Sequence, residues 1–80
     1  MEKKELEKKV IKTIADIFNK KPSQITRKTR FVEDLQPTSM TMLALIAALG
    51  GEFGIKISPS EVRQNKTVGQ AIDWIFEKLK

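Results

Sequence analysis

The sequence predicts an all-α protein, a small bundle of three main helices plus one short helix with a long loop between the first and second helices. Apolar residues recur at the i, i+3, i+4 spacing that places them on one face of a helix. Two capping signatures in the second half of the chain mark where further helices begin. A strand would need a sustained alternation of apolar and polar residues, and no such pattern competes with the helical ones. Because eighty residues are enough for one domain, we expect 1–80 to form a single unit.

The first helix is predicted from about Lys3 to Asn19. Its apolar stripe consists of Leu6, Val10, Ile11, Ile14, Ile17 and Phe18. Pro22 prevents the helix from continuing, and residues 20–38 are predicted to be a long irregular connection. We expect this connection to be held on the core by Ile25, Phe31, Val32 and Leu35. A loop of this length in a compact domain is usually functional or disordered, and its apolar residues favour function.

The second helix is predicted to begin at Ser39 and to be apolar almost all round as far as Leu49, with Thr41 as the one polar interruption. A helix of this kind is either central in a bundle or exposes a patch that something else covers. In so small a domain it cannot be wholly buried. Gly50 and Gly51 weaken helix propensity, but the spacing of Phe53 from Leu49 predicts that the helix continues.

Two capping boxes predict the last two helices. Ser58, Pro59 and Glu61 fit an N-cap, a first helical position and a reciprocal acceptor, and they open a short helix that contains Val62. Thr67 and Gln70 fit a second box before the final helix. Its apolar residues are Ala71, Ile72, Ile75, Phe76 and Leu79.

Composition excludes several classes of function. The chain contains neither cysteine nor histidine, so it lacks the commonest general base, the commonest metal ligand and any disulfide. We therefore expect no enzyme activity, no catalytic residue and no metal site. No apolar run approaches the roughly 20 residues that span a bilayer, and the charged N-terminus does not resemble a signal peptide. We expect a cytoplasmic protein that does not insert into membranes.

The net charge of +5 is uneven, because residues 1–30 contain ten Lys/Arg and only four Asp/Glu. A solvated helix face and a basic loop explain this distribution, and a docking patch for an anionic partner is the sharper hypothesis. A nucleic-acid binder would present a basic recognition helix. The second helix contains no Lys or Arg, so we expect no nucleic-acid partner.

Ser39 is the candidate functional residue because it stands where the apolar helix begins. A serine there can cap the free N–H groups of the first turn with its side chain. If its oxygen instead carries a phosphate ester, the same N–H groups and the positive end of the helix dipole stabilise the anion. Both interpretations remain open from the residues alone.

From Phe31 to Ile75 the chain resembles an acyl carrier protein. The stretch from Phe31 to Leu35 is similar to the family's approach to its attachment site, and Thr38-Ser39-Met40 falls where the family has Asp-Ser-Leu. The helix that follows matches at Leu43, Leu45, Ile46, Leu49, Glu52 and Phe53. Residues 55–57 resemble the turn into the third helix, and residues 67–75 resemble the family's final helix.

The resemblance implies that a phosphopantetheinyl transferase attaches 4′-phosphopantetheine from coenzyme A to Ser39. The thiol of that arm then carries acyl groups to acyl-transferring or synthase enzymes in fatty-acid, lipid or polyketide biosynthesis by a specialised pathway. We expect a monomer. The family shelters acyl chains between its helices, and the matching candidates for an acyl pocket are Phe31, Leu49, Ile57, Val62, Ala71 and Ile72.

The chain departs from the family in its charge. Acyl carrier proteins are usually acidic and present carboxylates on the second helix, whereas this chain has Thr41, Ala44, Gly50 and Gly51 at the corresponding positions. Thr38 replaces the family's Asp and Gln36 its usual Gly. We therefore expect partners to dock on apolar surface. The candidate residues are Met40, Leu43, Ala44 and Ala47.

One alternative stays open at this point: a helical interaction module with a carrier-like fold that is not modified. Its basic patch would bind an anionic partner. The positions that would form this patch are Lys20, Lys21, Arg27, Lys28 and Arg30.

Overall fold

A computed structural model describes residues 2–80 and confirms the predicted all-α bundle. Three main helices, α1 (Lys3–Ile17), α2 (Ser39–Phe53) and α4 (Val68–Leu79), pack around one core, and α3 (Pro59–Arg63) is the short fourth helix. Within residues 2–80 there is no strand, only an isolated bridge between Arg30 and Thr67. No helix in this described part is long and apolar enough to cross a membrane.

Helix α1 ends two residues earlier than expected, and three residues of its predicted stripe, Ile11, Ile17 and Phe18, are only partly buried. Leu6, Val10 and Ile14 are fully buried against the other helices. After Ile17 the chain turns, because Asn19 takes a left-handed conformation with φ 55°. Asparagine tolerates that conformation better than most residues. The Lys20 N–H then donates to the Ala15 carbonyl at 2.8 Å, which satisfies a carbonyl at the helix end.

The long connection contains two short turns, a 3₁₀ turn at Pro22–Gln24 and a π turn at Phe31–Leu35. Phe31 and Leu35 are buried in the core, as predicted. The prediction for Val32 was wrong, since this side chain is 70% exposed. The reason is local geometry. Phe31 and Leu35 lie one turn apart and face the same way, whereas Val32, the residue after Phe31, faces elsewhere.

Backbone hydrogen bonds join this connection to the start of α4. The Phe31 N–H donates to the Lys66 carbonyl at 3.0 Å, and the Gly69 N–H donates to the Arg27 carbonyl at 2.9 Å. A β-carbon at Gly69 would lie 2.9 Å from that same carbonyl oxygen, so the close approach requires glycine. These bonds fix the path of the chain toward Ser39.

Helix α2 runs through both glycines to Phe53, as predicted, and ends at Gly54 with φ 64°. It buries Leu45, Leu49 and Phe53, which recur every four residues. The N-terminal half of the same helix is far less covered, with Met40 80% and Leu43 60% exposed. Helix α2 therefore contributes to the core along one stripe and presents apolar surface along another.

One of the two predicted capping boxes is complete. At α3 the Glu61 N–H donates to Ser58 Oγ at 3.3 Å, and the Ser58 N–H donates to Glu61 Oε1 at 3.1 Å. At α4 Thr67 does cap the Gln70 N–H at 3.2 Å. The Gln70 side chain, however, accepts from the Lys66 N–H at 2.7 Å instead of returning to Thr67, so the reciprocal half of that prediction was wrong.

Candidate functional site

Ser39 is the first residue of α2, and its neighbour Thr38 caps the helix. Thr38 Oγ1 accepts from the Thr41 N–H at 3.1 Å, and Thr41 Oγ1 accepts from the Thr38 N–H at 2.7 Å. Thr38 and Thr41 therefore make the capping contacts that the sequence allowed Ser39 to make. That interpretation of Ser39 was wrong, because the cap is one residue earlier in the chain.

The Ser39 hydroxyl is exposed and makes no hydrogen bond to any residue within 2–80. The backbone N–H groups of Ser39 and Met40 also have no acceptor in that part of the chain. A phosphate ester at Ser39 Oγ would therefore lie beside two available donors and the positive end of the α2 dipole. The residues at this position fit a phosphate-linked group.

A groove of about 180 Å³ begins at Ser39 and lies between α2 and α3. Met42, Leu43 and Ile46 line its α2 side. Pro59 and Arg63 line its α3 side. An arm attached at Ser39 thus has a groove lined mainly by apolar side chains directly beside it.

A larger cavity of about 260 Å³ adjoins this groove. It shares Met42 and Arg63 with the groove. The rest of its lining consists of Phe31, Val32, Glu33, Val62, Asn65 and Lys66. Apolar side chains from the π turn and α3 therefore meet charged side chains in one cavity.

The six residues named for an acyl pocket lie in two places. Phe31 and Val62 line the larger cavity. Leu49, Ala71 and Ile72 are buried in the core, with Ile57 half-buried against it. The sequence reasoning missed Met42 and Ile46 as lining residues, although their spacing of three and seven from Ser39 is a helical signal for the same face. Arg63 and Lys66 were also missed, and only tertiary structure brings them there.

The four residues named for partner docking form one continuous stripe on α2. Met40, Leu43, Ala44 and Ala47 follow the i, i+3, i+4, i+7 spacing of a single helix face, and all four are exposed. The stripe is next to Ser39 and contains no charged residue. Apolar surface of this kind is typical of an interaction site.

The carboxylates that precede Ser39 in the π turn are both engaged by Arg30. The Arg30 N–H donates to Asp34 Oδ2 at 2.8 Å, and this bond holds the pKa of Asp34 below its usual value. Glu33 lies 3.9 Å from Arg30 Nε. The acids before Ser39 thus stabilise the turn itself.

Comparison with known proteins supports this interpretation of the site. Residues 8–75 match the family described as the phosphopantetheine attachment site. The acyl carrier protein of Porphyromonas gingivalis is 38% identical over 76 residues, which is 95% of this chain and 97% of that protein. The acyl carrier protein of Rickettsia canadensis is 40% identical over 73 residues, or 91% of this chain and 85% of the relative.

A solved structure of the acyl carrier protein from Enterococcus faecalis superimposes with a TM-score of 0.77 and 31% identity, over 96% of this chain and 98% of that one. The bundle, the accessible serine at the start of α2 and these similarities all agree. The chain belongs to the acyl carrier protein family, a family of non-enzymatic carriers with covalently attached 4′-phosphopantetheine.

Proposed function

We propose that Ser39 is the attachment point of the phosphopantetheine arm and that the chain carries acyl intermediates for a specialised biosynthetic pathway. The observation that carries this proposal is the division of roles at the start of α2. Thr38 caps the helix, which leaves the exposed Ser39 hydroxyl without an intramolecular partner within residues 2–80. No other serine combines exposure with the start of an apolar helix. Ser23 lies in the 3₁₀ turn, Ser58 is engaged in a capping box, and Ser60 contacts Ser58 at 3.2 Å.

This chain itself has to supply little of the chemistry. A transferase forms the bond between Ser39 Oγ and phosphorus while the nucleotide part of coenzyme A leaves and the hydroxyl loses its proton. When bound, the arm supplies a terminal thiol on which acyl groups are carried. The protein's own residues hold the phosphate at the helix N-terminus and offer the groove beside Ser39 to the arm.

An unmodified interaction module is disfavoured, because the family that matches residues 8–75 is defined by its attachment site. We further propose a cytoplasmic, monomeric, single-domain carrier that works in fatty-acid, lipid or polyketide synthesis. The transferase and the acyl-transferring or synthase enzymes would be its partners, without nucleic acid. Leu49, Ile57, Ala71 and Ile72 stay candidates for the acyl pocket, to be reached by local opening of a thin core.

Intact mass tests the attachment. Incubation of the wild type with a phosphopantetheinyl transferase and coenzyme A should add one phosphopantetheine per chain. Ser39→Ala should gain nothing, and Ser60→Ala is the matched control that should behave as the wild type. Addition of the group to Ser39→Ala would overturn the assignment.

Partner docking should depend on apolar contact more than on charge. Burial of apolar area contributes about 25 cal/mol per Å², whereas exposed ion pairs contribute only about 0–1 kcal/mol and are screened by salt. We expect Met40→Ala or Leu43→Ala to weaken binding to the partner enzyme more than Glu52→Ala does, in variants with unchanged circular dichroism. Binding should change little across a salt series.

A steep loss of affinity with salt that is traced to Glu33, Asp34 or Glu52 would contradict this docking mode. It would restore the acidic docking that is usual in the family. The same loss traced to Lys20, Lys21, Arg27 or Arg30 would place recognition on the basic loop.

A further inference from the structure

Arg63 is the one charged residue in the lining of the groove that begins at Ser39. It belongs to α3 and Ser39 belongs to α2, so the two residues line opposite sides of this groove of about 180 Å³. The rest of the lining is uncharged and consists of Met42, Leu43, Ile46 and Pro59. The groove therefore brings a single cation to the surface where the arm would be attached.

The Arg63 side chain is free to turn toward Ser39. It is exposed, and it forms no ion pair and no side-chain hydrogen bond within residues 2–80. Glu33 lines the adjoining cavity but not the groove, and it lies 3.9 Å from Arg30 Nε. Glu61, two residues before Arg63, pairs with Lys78 at 3.2 Å. No contact of Arg63 with these acids has to break before its guanidinium meets another anion.

A phosphodiester on Ser39 would give Arg63 the partner that it lacks. The ester has one negative charge shared by two oxygens, and a planar guanidinium matches two such oxygens with two parallel N–H donors. On the α2 side the N–H groups of Ser39 and Met40, which have no acceptor within 2–80, face the same anion. The contact needs no burial, so neither ion has to lose most of its water.

We propose that Arg63 binds the phosphate of the arm on Ser39, which is then held between α3 and the N-terminus of α2. Arg63 is a positioning residue in this account, because it takes no part in attachment or in acyl transfer. Lys66 is the matched control, since it is also exposed and without an ion pair within 2–80 but lines only the adjoining cavity. The inference rests on the proposed attachment at Ser39, so intact mass is measured first, and a failure of attachment would be seen there.

Phosphorus NMR of the modified protein observes this phosphate directly. At low salt we expect the phosphate resonance of Arg63→Gln to differ from that of the wild type, and the resonance of Lys66→Gln to coincide with it. Arg63→Lys should lie between them, because it keeps the charge and loses the two-point contact. The difference should disappear in about 1 M salt, where charges are screened within a few ångströms. In the wild type, the Arg63 Nε–H signal should shift on attachment.

Thermal unfolding before and after attachment measures the same contact. We expect attachment to raise the melting temperature of the wild type by about 2–4 °C more than that of Arg63→Gln, the shift that an exposed ion pair gives in a domain of this size. Lys66→Gln should respond as the wild type does. Comparison within each variant removes any effect of the substitution on the unmodified fold.

Two results would overturn the proposal. One is a phosphate resonance and a response to attachment that are the same in Arg63→Gln and in the wild type. The other is an equal change in Lys66→Gln, because the effect would then come from the general positive charge and not from a contact with Arg63.

Discussion

At the start of α2 two adjacent hydroxyl residues have different roles. Thr38 Oγ1 accepts from the Thr41 N–H, and Ser39 Oγ has no such partner within residues 2–80. The position of Ser39 at the start of an apolar helix could be predicted from the sequence. The sequence does not indicate which of the two hydroxyls caps the helix, because serine and threonine are both good N-caps and the choice depends on backbone dihedrals.

Substitutions at Thr38 separate stability from modification. Thr38→Ala should lower the free energy of unfolding by about 1 kcal/mol, the usual loss for an N-cap, as measured by urea denaturation. Thr38→Asp should keep the cap and add a favourable charge at the helix N-terminus.

The same aspartate restores the acid that the family has before its serine. We therefore expect Thr38→Asp to be modified faster than the wild type by a transferase from fatty-acid synthesis. Ser39→Ala is the stability control, and it should unfold like the wild type because its hydroxyl has no intramolecular bond to lose. An equal or slower rate for Thr38→Asp would mean that the transferase recognises another feature.

Among the elements, helix periodicity predicted α1 and α4 well, because one apolar stripe defines each of them, whereas α2 was predicted from its high density of apolar residues. The π turn at Phe31–Leu35 could not be predicted this way, since one turn is too short to show a period. Val32 was misplaced for that reason. The contact between Gly69 and Arg27 joins residues far apart in sequence, so no local pattern indicates it.

Two glycines in helices should respond to alanine in opposite ways. A β-carbon at Gly51 meets nothing within 4 Å, so Gly51→Ala should stabilise the protein by about 0.4–1 kcal/mol through a smaller loss of backbone entropy. A β-carbon at Gly69 would lie 2.9 Å from the Arg27 carbonyl oxygen. Gly69→Ala should therefore destabilise by about 1–3 kcal/mol despite the better helix propensity of alanine.

Chemical denaturation of both variants under one condition gives the comparison. Equal effects of the two substitutions would mean that the loop between α1 and α2 shifts at little cost to make room for a β-carbon at Gly69. The path of the chain toward Ser39 would then not depend on the contact at Gly69.

At the scale of the whole molecule, ion pairs connect the loop to two helices. Asp73 Oδ1 accepts from Lys3 Nζ at 2.8 Å. Both oxygens of this carboxylate also accept from Arg27 Nη2, at 2.9 and 3.0 Å. Arg27 also lies 4.0 Å from Glu7. Arg27, a residue of the loop, thus contacts both α1 and α4, and its charge is engaged in ion pairs with acids of these two helices. This argues against Arg27 as part of a free basic patch.

These pairs predict a pH dependence of stability. The hydrogen bonds from Lys3, and then from Arg27, hold the pKa of Asp73 below the usual 3.8. A lowered pKa in the folded state gives stability that is present above the unfolded value and is lost as pH falls through the folded value. Stability should thus be level near neutral pH and fall below about pH 4.

Asp73→Asn should make that acid limb shallower. The free energy of unfolding that it removes near neutral pH should be less than about 1 kcal/mol, because the carboxylate is half-exposed. Asp16→Asn is the matched control, since Asp16 is exposed on α1 and has no ion pair within residues 2–80. Urea denaturation from pH 7 to pH 3 measures the effect. An unchanged acid limb in Asp73→Asn would show that this network does not contribute.

The central claim is that Ser39 carries the arm, and peptide mass mapping tests it most directly. Trypsin releases residues 31–56 as one peptide in which Ser39 is the only serine, beside Thr38 and Thr41. After incubation with transferase and coenzyme A, fragmentation should place a single phosphopantetheine on Ser39, in the wild type and in Thr41→Ala alike. A phosphopantetheine on Thr38, or on a peptide that contains Ser23, Ser58 or Ser60, would contradict the account.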